Sequence, residues 1–156
     1  MQYGIENEDF GRRALQKALS RRGINVSIRP CGLFLHQSGV LAASPDGVID
    51  DETIVEIKCL SKYRNDREGA LRCANYGIIG SGMDLKLSQQ SIWYDQIQAQ
   101  LHITNTNICF LICYIPNNSI IIRVPKDQNW GRNINKLVNY YWDVVFPKLL
   151  LKINKG

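Results

Sequence analysis

The sequence predicts a mixed α/β domain in which helices pack against one central sheet of about five strands. Two observations predict this class. Apolar residues recur at helical spacing over residues 6–22, 88–104 and 127–151, whereas five shorter runs are rich in β-branched and apolar residues. The elements follow the order α, βββ, short α, α, ββ, α, with no internal repeat or linker. A chain of 156 residues therefore predicts a single domain, residues 1–156.

Composition excludes several protein classes. Hydrophobic residues make up 45% and charged residues 21%, which excludes disordered and low-complexity chains. No apolar run approaches the roughly 18 residues of a membrane span, and the first ten residues are acidic and polar, unlike a signal peptide. We therefore expect an intracellular protein with no membrane partner, and the sequence leaves nucleus and cytoplasm open.

The net charge indicates the kind of partner, and the cysteine and histidine content bears on metal binding. The formal net charge of +5 favours polyanions without proving one. The five cysteines include no CxxC pair, and the two histidines, His36 and His102, are isolated. This pattern predicts reduced, mostly structural thiols and no zinc site.

The first half of the chain reads as a helix followed by three strands. Over residues 6–22 the apolar positions share one face, and Gly23 is a stop signal. Residues 24–36, 40–49 and 53–60 predict a three-stranded antiparallel meander. The arginine pairs of the helix are expected in solvent: Arg12, Arg13, Arg21 and Arg22.

The second half predicts two further helices around a hairpin. A short helix over residues 66–74 and a glycine-containing loop precede the helix at residues 88–104. Residues 107–115 and 119–124 predict strands joined by a Pro-Asn-Asn turn. The amphipathic tail should kink at Pro147.

The densest chemical signal is a Ser-Pro-Asp-Gly stretch ending at Gly47, followed by Val55-Glu56-Ile57-Lys58. Side chains two apart on a strand share a face, so Glu56 and Lys58 point together. The acidic turn between the strands can bring Asp46 close to Glu56. Two carboxylates and a lysine then share one site.

Two nearby carboxylates suit Mg²⁺ or Mn²⁺, completed by a backbone carbonyl and waters. A neighbouring lysine can orient an attacking water or counter charge on a phosphoryl group, which is the chemistry of phosphodiester hydrolysis. The alternatives are an ordinary turn at Asp46 and a weak surface ion pair between Glu56 and Lys58. Order and spacing together favour the site.

Glu8 on the first helix is a further candidate. At about 100° per residue, Glu8 falls on the azimuth of Leu15 and Leu19, which directs its carboxylate toward the core. The alternative, of equal weight, is a solvated acid in the first turn, where the helix dipole favours it.

Two glutamines of the later helix are also candidates. Gln96 and Gln100 lie one turn apart on the side of Trp93 and Ile97, while Gln98 faces away. Such amides suit a nucleic-acid backbone or a metal-bound water. Ordinary polar flanks of an amphipathic helix are the alternative.

The chain resembles the lambda-exonuclease-like viral recombinase nucleases, the YqaJ group of the PD-(D/E)XK nuclease superfamily. Four motifs in the expected order carry the resemblance: Gly4-Ile5-Glu6-Asn7-Glu8, Ala43-Ser44-Pro45-Asp46-Gly47, Val55-Glu56-Ile57-Lys58-Cys59 and Tyr94-Asp95-Gln96-Ile97-Gln98-Ala99-Gln100-Leu101. It implies a restriction-endonuclease-like core.

The resemblance also implies residue roles. Asp46 and Glu56 match the metal-binding carboxylates, and the carbonyl of Ile57 matches a main-chain metal ligand. Lys58 matches the catalytic lysine. Glu8 and Gln96 complete the catalytic set, Glu8 through a second metal or the attacking water. Separately from the resemblance, the positive charge that follows Lys58 predicts DNA contacts at Lys62, Arg64 and Arg67, and the further expected DNA contacts are Ser44 and Gln100.

The implied activity is Mg²⁺-dependent hydrolysis of DNA, with Mn²⁺ as a substitute, by 5′ to 3′ exonuclease action in recombination. A single-strand annealing protein and a homo-oligomer are the implied partners besides DNA. The sequence begins almost at the first motif, so we expect it to lack the N-terminal extension that family members usually carry. An endonuclease of the same fold, or a catalytically silent nucleic-acid-binding domain of a larger recombination or transposition protein, are the alternatives.

Overall fold

The computed structural model describes residues 2–82 and 84–153, with side chains from residue 7 onward. Helix α1, Gln2–Ser20, begins earlier than predicted and ends before Gly23, whose φ of +77° allows the left-handed turn. Its buried residues Leu15 and Leu19 pack on the central sheet. The side chains of the first three residues of the Gly4-to-Glu8 motif lie outside the described set.

The central sheet has four strands, namely β3 (Gly47–Asp50), β4 (Thr53–Cys59), β7 (Ile108–Tyr114) and β8 (Ile120–Pro125). Their order is β3-β4-β7-β8. The β4 and β7 strands are parallel, whereas the two outer strands are antiparallel to their neighbours. The predicted mixed sheet between helices is therefore confirmed, although these four strands are fewer than the five expected.

The predicted three-stranded meander is wrong in its first two strands. Residues 24–36 contribute only β1 (Phe34–Leu35), and residues 40–49 are divided into β2 (Ala42–Ala43) and β3. The remaining trace of a fifth strand is an isolated bridge between Arg29 and Val48. Prolines and a glycine explain the loss, because Pro30 and Pro45 remove ladder donors and Gly32 weakens a strand.

Between the strands lie two short helical elements and a small hairpin. The predicted helix is α2 (Arg67–Arg72), capped by the Asp66 side chain, which accepts a hydrogen bond from the Gly69 N–H at 2.8 Å. The glycine-containing segment was expected as a loop and instead forms the hairpin β5 (Ile78–Ile79) and β6 (Lys86–Leu87).

Helix α3, Tyr94–Ile103, is shorter than its prediction, and the β7–β8 hairpin is confirmed. The C-terminal part comprises α4 (Arg132–Tyr140), a π-helical segment (Tyr141–Val145) and α5 (Phe146–Ile153). Because Pro147 has no N–H to donate to the Asp143 carbonyl, the helix is interrupted one turn before the proline.

Both faces of the sheet are covered. Val55 and Ile57 pack under α1, and Ile54 faces the opposite core, which includes Ile97 and Leu101 of α3. Glu56 and Lys58 share the α3 face by strand alternation. No helix within the described residues is long and apolar enough to cross a membrane.

Candidate active site

Asp46 lies in the break between β2 and β3, at the edge of β4. Its Oδ2 accepts a hydrogen bond from the Ile57 N–H at 2.6 Å. Its main-chain carbonyl accepts one from Arg12 Nη1 at 2.7 Å. The break thus releases Asp46 from the strand ladder, and β4 and α1 fix it in place.

Glu56 is buried with three side-chain donors around its carboxylate. Lys58 Nζ donates to Oε1 at 2.7 Å, and Gln96 Nε2 donates to the same oxygen at 2.8 Å. Gln100 Nε2 donates to Oε2 at 2.9 Å. Charge-assisted bonds of this kind offset the cost of holding a carboxylate at 3% exposure.

Lys58 joins strand and helix. Besides its bond to Glu56, its ammonium donates to Gln96 Oε1 at 2.9 Å. Gln96 therefore contacts both Glu56 and Lys58, and the three groups form a closed triangle. The ammonium side chain is 22% exposed, so it faces the solvent side of the site.

The carboxylates repel one another. The pKa of Asp46 is raised to about 6, first by burial and then by the negative charge of Glu56. Glu8 raises this pKa further, whereas the Ile57 N–H bond and the Lys58 charge lower it. Glu8 Oε2 itself lies 3.9 Å from Arg12 Nη1. The negative charges of Glu56 and Glu8 thus repel that of Asp46, and a bound cation would reduce this repulsion.

The donor set fits a hard divalent cation held by few protein ligands. Over residues 2–82 and 84–153, no three His, Cys, Asp or Glu side chains are close enough together to hold a metal ion. The second oxygen of Asp46, Oδ1, has no hydrogen-bond partner among those residues. A Mg²⁺ ion needs only one or two carboxylates, with waters for the rest.

One main-chain carbonyl oxygen and one side-chain amide oxygen add to this set of possible metal ligands. The N–H and C=O of one strand residue point to the same side, so the Ile57 carbonyl faces the edge where Asp46 lies. The pairing of β3 stops at Val55 and leaves that edge open. The buried Gln100 Oε1 has no partner among the described residues.

The family model of the YqaJ-like viral recombinase domain matches residues 1–107. The chain belongs to this family. The resemblance carried by the four motifs is thereby confirmed.

Curated relatives of this YqaJ-like domain are viral alkaline nucleases. The protein from Orgyia pseudotsugata multicapsid polyhedrosis virus is 26% identical over 149 residues, covering 82% of this chain and 35% of the relative. The protein from Autographa californica nuclear polyhedrosis virus is 25% identical over 122 residues, covering 67% and 29%. The chain spans about a third of the length of these relatives.

Solved structures share the fold. The alkaline exonuclease LHK-Exo from Laribacter hongkongensis has a TM-score of 0.69 at 20% identity, covering 99% of this chain and 73% of that one. LHK-Exo in complex with dAMP has a TM-score of 0.71 at 21% identity, covering 99% and 72%. These matches confirm the predicted fold class.

The YqaJ-like domain brings the catalytic candidates together, and the expected DNA contacts differ in their exposure. Ser44, Lys62 and Arg64 are exposed, whereas Arg67 is partly buried and pairs with Glu68 at 3.2 Å. Gln100 is 5% exposed and lies on the sheet-facing side of α3, the side predicted for it, and its expected contact with DNA stays a prediction. It is a buried donor to Glu56 because its side of α3 packs against the sheet.

Two side chains depart from their expected surroundings. Gln98 faces away from Glu56 as expected but is fully buried, bonding the Pro125 carbonyl and the Asp127 N–H. Arg12 was expected in solvent and instead contacts Asp46. Its spacing of four residues from Glu8 was the available signal, and such pairs usually lie on exposed helix faces.

Proposed function

We propose that this domain is a Mg²⁺-dependent nuclease that hydrolyses DNA phosphodiester bonds as a 5′ to 3′ exonuclease, with Mn²⁺ able to substitute. The observation that carries the proposal is the Glu56–Lys58–Gln96 triangle beside the Asp46 carboxylate. Family membership and the names of the alkaline nuclease relatives support it. The basic net charge of +5 suits a DNA substrate.

In this proposal Asp46, Glu56 and the Ile57 carbonyl hold the metal, and Glu8 acts through a second metal or through water. A bound Mg²⁺ supplies Lewis-acid stabilisation of negative charge on the phosphate. Asp46 Oδ1, which accepts no hydrogen bond from the described residues, and the open edge beside Ile57 support the assignments of these two residues.

Lys58 is the proposed catalytic lysine. Its ammonium is fixed between Glu56 and Gln96 and has no third acceptor among the described residues, so its third N–H can reach a phosphate oxygen or orient the attacking water. Because the geometry is set before substrate arrives, little reorganisation is required in the transition state.

The test is cleavage of linear duplex DNA with Mg²⁺ or Mn²⁺, with EDTA and the Lys58→Ala variant as controls. Strands labelled at either end, carrying a 5′-phosphate or a 5′-hydroxyl, report polarity, and closed circles report internal cutting. We expect progressive loss from 5′ ends and intact circles. Cleavage of circles would overturn the exonuclease assignment, and no cleavage under any metal or end type would overturn the nuclease itself.

The remaining assignments stay predictions. They are a single domain over residues 1–156, a single-strand annealing protein and further copies of the chain as partners, and the nucleus or cytoplasm as the compartment.

A further inference from the structure

Arg12 joins the two segments that carry acids of the site. Its Nη1 donates to the Asp46 carbonyl at 2.7 Å, and its Nη2 donates to Asp9 Oδ1 at 2.7 Å. The same guanidinium lies 3.9 Å from Glu8 Oε2. Its side chain is only 15% exposed, so these contacts are partly shielded from water. The Arg12 side chain thus connects the helical turn that carries Glu8 and Asp9 to the main chain of Asp46.

Neither hydrogen bond of Arg12 uses a carboxylate oxygen of Asp46 or Glu8, although Glu8 Oε2 lies 3.9 Å away. Arg12 bonds the carbonyl of Asp46 and not its carboxylate, and the closer of its two acidic partners is Asp9 rather than Glu8. A cation that occupied the carboxylates of Asp46 and Glu8 would compete with a metal. The geometry of Arg12 therefore suits a residue that holds the Asp46 main chain in position and not a counter-ion that competes with the metal.

The Asp46 carbonyl needs such a partner. It lies in the three-residue break between β2 and β3, where no ladder bond is available. Asp46 Oδ2 reaches the Ile57 N–H only while the main chain keeps its position. The planar guanidinium fixes two acceptor directions at once, which a lysine ammonium on a flexible stem does not.

We propose that Arg12 is a positioning residue that holds the Asp46 loop against α1 and so sets the arrangement of Glu8 and Asp46 for metal binding. The proposal rests on the nuclease function proposed above. Arg12 acts through Asp46 and touches neither substrate nor metal.

The test compares Arg12→Ala and Arg12→Lys with the control Arg13→Ala, an exposed arginine one position along the same helix. Outer contacts of metal ligands are typically worth about 10- to 100-fold in metal affinity or activity. We expect Arg12→Ala to lower kcat and to weaken Mn²⁺ binding by about that factor with KM for DNA unchanged. Arg12→Lys should recover part of the loss, and Arg13→Ala should keep the parent kcat and Mn²⁺ affinity.

Mn²⁺ binding is measured without DNA by calorimetry, and circular dichroism verifies that each variant is folded. A raised KM with unchanged kcat would overturn the proposal, because Arg12 would then be a substrate contact. Parent-like kcat and Mn²⁺ affinity in Arg12→Ala would also overturn it while leaving the nuclease proposal intact. If the parent chain cleaves no DNA, the proposed function fails, and the Mn²⁺ titration still decides the role of Arg12.

Discussion

In the folded protein without a bound metal, the charged form of the Asp46 carboxyl group is destabilised. Its pKa is raised from 3.8 to about 6, so between these pH values the native state binds more protons than the unfolded state. Stability of the metal-free protein therefore falls as pH rises through this window, and the loss persists above it.

Asp46→Asn removes the charge and keeps an acceptor for the Ile57 N–H. In EDTA we expect the variant to be more stable than the parent by about 1 kcal/mol at pH 8, after discounting for solvent screening of a partly exposed group. The difference should vanish below pH 4. Urea unfolding at several pH values measures it, and equal stabilities at pH 8 would contradict the assigned pKa.

Gln100 and Gln96 offer a matched pair of donors to Glu56. Gln100 is buried, so Gln100→Leu leaves Glu56 Oε2 without a donor where water has poor access, at a cost of about 2 kcal/mol. Gln96 is exposed, so water replaces its bond and Gln96→Leu should cost less than about 0.5 kcal/mol. Denaturant titration of both variants checks this order. Equal costs would show that Glu56 is open to water from both sides.

The side on which a single residue lies can be predicted from the sequence where one periodicity decides the geometry. Strand alternation gives the shared face of Glu56 and Lys58, and helix azimuth gives Gln96. The solvent placement of Arg12 was wrong, because a long amphipathic side chain suits both a surface and a buried partner. Which of the two it takes depends on the element that packs above it.

At the scale of elements, α1 approaches β4 closely at Gly11. A Cβ at this position would lie 2.6 Å from Ile57 Cγ2. Gly11→Ala should therefore destabilise the protein by about 1 kcal/mol, because the overpacking cost exceeds the gain in helix propensity. In an Ile57→Ala background the clash is absent, and the same change should stabilise by up to about 1 kcal/mol.

This change of sign is read from a double-mutant cycle by denaturant unfolding. Gly32→Ala is the control, since a Cβ there meets nothing within 4 Å and its φ is not positive. A Gly11→Ala cost that is the same in both backgrounds would mean that Ile57 does not set the helix–sheet distance.

The strands show where element prediction depends on more than composition. The β7–β8 hairpin follows from apolar runs and a turn, with Asn117 at φ +62°. The first two strands of the meander were predicted from similar composition, yet prolines at positions 30 and 45 leave only short pieces. The break at Pro45 is also what releases Asp46 from the ladder, so the failed strand and the candidate site have one cause.

At the scale of the whole molecule, the exposed positive charge that follows β4 predicts where DNA would approach. Lys62 and Arg64 are exposed just beyond the end of the strand that carries Lys58. Lys62 Nζ lies 5.4 Å from the centre of the Tyr63 ring, which limits its freedom without neutralising it. Arg67, by contrast, is already paired with Glu68. We therefore expect Lys62 and Arg64 to release more counterions from DNA on binding than Arg67 does.

Replacing Lys62 and Arg64 by alanine in a Lys58→Ala background should weaken duplex binding without sequence preference. The slope of log K against log salt should fall in magnitude by about 2, since each lost phosphate contact contributes about 0.9. Adding Arg67→Ala should change it by much less, because the Glu68 pair already offsets that charge. Fluorescence anisotropy across a salt series measures the slopes, with Lys148 and Lys152 of α5 replaced as a control of equal charge. If the control lowers the slope as much, net charge and not a path beside β4 governs binding, because charge removed anywhere would then act alike.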